Sequence, residues 1–132
     1  MADERWVGLT SIEGVVSGPL GQQRVELLID TGAQYSLLPH QVWTSIGLRP
    51  TRTRTFHLAN GASIERTISE CLIELPEIGG ETPCGHTPVI LGEPGDVALL
   101  GVVTLEELGL LFNPIDRSLG LMLDAPLMRL TA

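Results

Sequence analysis

The chain has 132 residues, 8 of them basic and 16 acidic, for a net charge of −8, and every basic residue is an arginine. That length suits one ordinary domain, residues 1–132, with a single core. The negative field disfavours phosphate backbones and anionic lipid headgroups, so neither nucleic acid nor a membrane surface is an expected partner, and the lack of lysine removes Schiff-base chemistry.

No apolar run approaches the ~20 residues of a membrane span, and the opening M-A-D-E-R lacks a hydrophobic signal region. The expectation is a soluble, cytoplasmic chain. Its two cysteines, Cys71 and Cys84, are too few for a disulfide scaffold and should stay reduced.

In chain order, residues 5–16 (R-W-V-G-L-T-S-I-E-G-V-V) and 24–29 (R-V-E-L-L-I) are rich in β-branched and aliphatic residues. They flank the turn-prone S-G-P-L-G-Q, which predicts a hairpin leading into Asp30. H-Q-V-W-T-S-I-G predicts a short helix: Pro39 precedes its first turn, Val42 and Ile46 are four apart, and Gly47 ends it. T-R-T-F-H-L and A-S-I-E-R-T-I-S then flank Asn60-Gly61, a hairpin signal in which both turn positions tolerate φ > 0.

Further strand candidates are C-L-I-E-L, T-P-V-I-L, V-A-L-L and, near the end, L-G-L-M-L. Between the last two, Thr104 to Glu107 has the S/T-x-x-E capping-box form, with Leu105 and Leu108 on one face and Gly109 placed to stop the helix. At least about six short strands at this spacing predict an all-β barrel or sandwich.

Asp30 closes an apolar run and is followed at once by Thr31 and Gly32. By itself D-T-G suits an ordinary turn, since aspartate favours turns and glycine supplies φ > 0. The chain also carries Leu99-Leu100-Gly101 just ahead of the second short helix. With D-T-G-A at the end of an apolar strand, an N-G hairpin beyond it and L-L-G before a short helix, residues 5–124 resemble the retropepsin-like aspartic proteases.

The resemblance implies a small closed β-barrel, a β-hairpin flap over a cleft, and a polypeptide substrate. Each subunit would give one aspartate to a dyad shared across a two-fold axis. Asp30 is then the expected catalytic carboxylate, supported by the loop residues Thr31, Gly32 and Ala33, with the Thr31 hydroxyl bonding across the dimer. Leu58, Ala59, Asn60 and Gly61 would form the flap tip against the substrate, and Leu99, Leu100 and Gly101 would buttress the aspartate loop from beneath. No metal or cofactor is called for.

The chemistry of the residues agrees. Hydrolysis by carboxylates needs two of them sharing one proton, one acting as base toward a water while the other polarises the scissile carbonyl. This chain has one D-T-G and no second D-[TS]-G. A monomer would hold half a site, and a homodimer would bring Asp30 against its symmetry mate.

Two positions depart from the viral enzymes of that family. Gln34 follows D-T-G-A where they carry an acidic residue, and Val102 follows L-L-G where they carry an arginine. The ion pairing that helps their dimers is therefore absent, and apolar contacts should matter more. A flap with a single glycine at its tip should also be stiffer.

Other readings are a catalytically silent dimer of the same fold that binds peptides or a partner strand, and a metal-binding domain using Cys71, Cys84 and His86, with His57 as a further candidate. The metal reading lacks a C-x-x-C pair or H-x-x-x-H. Ser36 and His40 supply, with Asp30, the residue types of a triad, but there is no G-x-S-x-G elbow. Trp6 and Trp43 read as core or interface aromatics.

Overall fold

A computed structural model describes residues 10–122. The first hairpin joins β1 (Thr10–Gly18) to β2 (Gly21–Ile29), in antiparallel register from Thr10↔Ile29 to Gly18↔Gly21. Its turn is Pro19-Leu20, inside the segment whose composition predicts one. The part of the first predicted strand before residue 10 lies outside the described residues, as does Trp6. Along β2 the exposed Arg24 and Glu26 alternate with the buried Leu27 and Ile29, so the strand's inward face delivers the chain to Asp30.

A short strand, β3 (Ser36–Leu38), leads into helix α1 (His40–Ser45), with Pro39 as its N-cap. Val42 and Ile46 are buried as their spacing predicts, and Gly47 stops the helix at φ +81°. Trp43 packs against the core, and its indole N–H donates to the Gly92 carbonyl at 2.9 Å.

Next come β4 (Arg52–His57) and β5 (Ser63–Glu74). The expected strands 62–69 and 71–75 are one continuous strand, because β5 pairs with β4 along its first half and with β6 (Cys84–Leu91) along its second. Of V-A-L-L only β7 (Leu99–Leu100) is strand. Helix α2 (Val102–Glu107) buries Leu105 and Leu108 and ends at Gly109, φ +73°. A separate two-stranded sheet follows, β8 (Leu110–Asn113) with β9 (Ser118–Leu121).

The main sheet runs β1-β2-β7-β3-β6-β5-β4, and β1 also pairs with β5 from Val15↔Glu74 to Ser17↔Leu72. That pairing closes six strands into a barrel and leaves β4 outside it, carried on β5 as an arm. Val16, Leu27, Ile29, Leu38, Ile73, Val89 and Leu100 fill the interior at 0–1 % exposure. Each buried aliphatic side chain contributes about 1.5–3 kcal/mol. Those on β2, β3 and β7 therefore anchor the strand ends from which the aspartate loop hangs. Among the described residues no helix is long and apolar enough to cross a membrane.

Candidate active site

The burial of Leu27 and Ile29 fixes where Asp30 emerges, and backbone bonds fix its loop. The Asp30 N–H donates to the Leu100 carbonyl at 3.1 Å, and the Ala33 N–H donates to the Asp30 carbonyl at 3.0 Å. One carboxylate oxygen, Oδ1, accepts the Gly32 N–H at 2.9 Å, closing a small side-chain turn. Asp30 is half-buried, while Thr31 and Gly32 are exposed at the apex of the loop.

The far side of the loop is held by α2. Helices leave their first N–H groups without intrahelical acceptors. Here Val102 N–H donates to the Ala33 carbonyl at 3.0 Å and Val103 N–H to the Gln34 carbonyl at 2.9 Å. The capping-box reading of Thr104 is thereby corrected. The helix begins three residues earlier, Gly101 is its N-cap, and no side chain caps it. Loop carbonyls brought from far away in sequence do that work instead.

Thr104, freed from the cap, points inward. Its hydroxyl lies 2.5 Å from that of Ser36 and 2.8 Å from that of Thr87, and the Gly101 N–H donates to Ser36 Oγ at 2.9 Å. All three hydroxyl residues are fully buried, so each needs the others as partners. Gly101 sits so close to the loop that an added Cβ would meet the Tyr35 carbonyl carbon at 2.5 Å and its oxygen at 2.6 Å. Leu99, Leu100 and Gly101 thus lie directly against the aspartate loop. Leu99 pairs with Leu37 on one side and with Leu28 on the other.

The hairpin β4–β5 ends in residues 58–62. Leu58 N–H donates to the Ala62 carbonyl at 2.8 Å, Gly61 N–H to the Leu58 carbonyl at 3.0 Å, and Ala62 N–H to Asn60 Oδ1 at 2.9 Å. The two-residue N-G turn is corrected to a longer one. Asn60 and Gly61 occupy its last two positions, and Gly61 alone has positive φ, +90°. Leu58, Ala59, Asn60 and Gly61 are all exposed. Close to this tip Phe56 meets the ring of Tyr35 edge-on, centroids 5.8 Å apart, and the Arg54 guanidinium lies 5.8 Å from the same ring's centroid.

The other candidate clusters are not assembled. Cys71 is opposite Thr87 on the inward face of β5, whereas Cys84 and His86 stand opposite Glu74 and Leu72 on the other face. Among the described residues no three metal-ligating side chains come together. His57 lies out on β4, bonded through Nδ1 to Ser63 at 3.2 Å. Ser36 is fully buried against Thr104, while His40 is exposed and rests edge-on against Trp43, so these two do not form a triad. Burial raises the Cys71 thiol pKa to about 11, against a weaker lowering by its bond to the Ser17 carbonyl.

Four residues of this region escape the sequence reading: Tyr35, Ser36 in its buried role, Thr87 and Thr104. A signal existed for Thr87, a polar residue in the inward register of Val89 and Leu91 on β6.

A six-stranded closed barrel, a projecting hairpin and a D-T-G loop locked to an L-L-G strand define the class of retropepsin-like aspartic proteases. Residues 16–107 match the family described as gag-polyprotein putative aspartyl protease, and the chain belongs to it. The match runs from within β1 to the end of α2, so it includes Asp30, the hairpin and Gly101. No curated protein matches the chain.

Proposed function

We propose that the chain is an aspartic endopeptidase that works as a homodimer, with Asp30 of each subunit forming the catalytic pair. One carboxylate, ionised, accepts a proton from the attacking water. The other, protonated, donates to the carbonyl oxygen of the scissile bond. The family supports the protease class. The observation that carries the finer reading is the loop itself: a single half-buried carboxylate held by the Gly32 N–H, on a backbone anchored to the Leu100 carbonyl, beneath an apex where Thr31 and Gly32 are exposed and available to a second copy. The hairpin with residues 58–61 at its tip serves as the flap, and no cofactor takes part.

The test compares the wild-type chain with Asp30→Asn on a mixed peptide library. Asparagine keeps an oxygen to accept the Gly32 N–H, so the loop should survive while the acid–base function is lost. Turnover should fall by at least about 10²-fold, within the range that positioned acid–base groups contribute. Equal cleavage by both proteins rejects the Asp30 pair. Peptide binding with no Asp30-dependent cleavage would replace this reading with a silent binding dimer.

A further inference from the structure

Arg54 and Arg66 are direct cross-strand partners on β4 and β5, so their side chains leave the same face of the flap hairpin. That face also carries Phe56 and Ile64, and it is the one turned to Tyr35, as the edge-on ring contact and the guanidinium above the ring require. Tyr35 lies on the segment that leaves the D-T-G loop for β3. Two guanidinium groups are therefore displayed on the side of the flap that looks toward the aspartate loop.

Neither has an acidic partner. Among the described residues the ion pairs are Arg24 with Glu13 at 3.7 Å and Arg52 with Glu70 at 3.6 Å. Arg66 donates only to the neighbouring Glu65 carbonyl, at 3.2 Å, and Arg54 rests over a ring. Like charges placed directly opposite each other weaken a strand pair. Here they persist in a chain of net charge −8 that has acidic residues to spare.

Resting on the peptidase reading above, we infer that Arg54 and Arg66 form an anion subsite that selects peptide substrates carrying a glutamate or aspartate beneath the flap. An extended peptide under a hairpin presents alternate side chains to it. A carboxylate arriving there relieves the repulsion between the two guanidiniums and is offered paired N–H donors. The Tyr35 ring, itself braced edge-on by Phe56, lies under the Arg54 guanidinium, so its charge is positioned before substrate arrives. The overall charge predicts the opposite preference, since a chain at −8 repels acidic peptides. A preference for acid thus reports the local pair and not the general field.

For peptides cleaved from a mixed library, replacing a Glu by Gln at the selected position should lower kcat/KM about fivefold at low salt, chiefly through KM, given the strength of exposed ion pairs. The ratio should shrink as salt screens it. It should approach one in the double variant Arg54→Gln, Arg66→Gln, and turn toward Lys-containing peptides in Arg54→Glu. Arg24→Gln, on β2 and paired to Glu13, should leave it unchanged. A second measurement does not need turnover: Asp30→Asn should bind a fluorescein-labelled decapeptide of alternating Glu and Thr more tightly than its Gln–Thr counterpart, with the difference gone once both arginines are Gln. Equal or reversed preference in the binding assay, or a preference that survives the double variant, overturns the subsite. Absence of Asp30-dependent cleavage overturns the peptidase reading alone, and the binding assay still decides this one.

Discussion

The Gly101 N–H donates to Ser36 Oγ at 2.9 Å, although 65 residues separate the two in sequence. Ser36 passes the contact on to Thr104, and Thr104 to Thr87, so one chain of hydroxyls ties β3, α2 and β6 together behind the aspartate loop. Each member is buried, and Thr104 is the partner that Ser36 and Thr87 share.

Thr104→Val tests that chain. Valine keeps the shape and deletes the hydroxyl, leaving Thr87 without its partner and Ser36 with only the Gly101 N–H. The expected loss is about 1–3 kcal/mol, the cost of unsatisfied buried polar groups. Urea unfolding reads it, and a midpoint within error of wild type would show that the cluster adds nothing to stability.

The two glycines Gly101 and Gly61 should respond to substitution for different reasons. Gly101→Ala drives a methyl into the Tyr35 carbonyl, and overpacking of this kind costs about 1–3 kcal/mol. It should lower stability and peptidase activity together, because the loop must move. Gly61 has open space around it but φ +90°, so Gly61→Val is opposed by backbone conformation alone. That variant should unfold near the wild-type midpoint while KM rises or kcat falls. Unchanged kinetics would make residues 58–61 a plain surface turn.

Cys71 predicts an alkaline loss of stability. Its folded pKa, about 11, lies above the ordinary thiol value of 9.0. Between those values the native state holds a proton that the unfolded state has released, so stability is intact below about pH 9 and falls as pH rises toward 11. Each pKa unit is worth about 1.4 kcal/mol, so the loss is at most on the order of 3 kcal/mol. Cys71→Ala should flatten this limb of the stability curve. An iodoacetamide reaction at neutral pH should label the exposed Cys84 and spare Cys71.

The proposed carboxylate pair and dimer predict a second pH dependence. A dyad works with one shared proton, so peptidase activity should trace a bell on the acidic side of neutrality. Added salt should extend activity to higher pH by screening repulsion between subunits of charge −8 each. Sedimentation should show a dimer that Thr31→Ala weakens by about 1–3 kcal/mol if the lost hydroxyl leaves a buried partner. Full activity in a monomer, or a rate that stays high into alkali, would remove Asp30 from its proposed role.

The parts of this fold legible in the sequence are those set by neighbours in the chain. Pro19 and its flanking glycines mark the first turn, Pro39 and Gly47 bracket α1, and the run from Val25 to Ile29 shows where a strand ends at Asp30. What sequence reasoning misplaces depends on partners far away. Thr104 has the form of a cap, but the helix starts at Val102, and its first N–H groups, those of Val102 and Val103, go to the carbonyls of Ala33 and Gln34. Glu70 reads as a break between strands, yet β6 pairs straight across it. The contact of Tyr35 with Phe56 and Arg54 exists only because the β4–β5 hairpin folds back toward the aspartate loop, and no local pattern announces it.

β7 is two residues long and sits between β2 and β3, strands that precede it by many tens of residues. In the order of synthesis, β2 and β3 leave the ribosome with nothing to join them, and the Asp30 N–H has no acceptor until Leu100 follows. A nascent chain stopped before residue 100 carries the aspartate without the geometry around it. Such long-range closure also slows folding. The loop that carries Asp30 is therefore shaped near the end of its own assembly, when the barrel that restrains it is already closing.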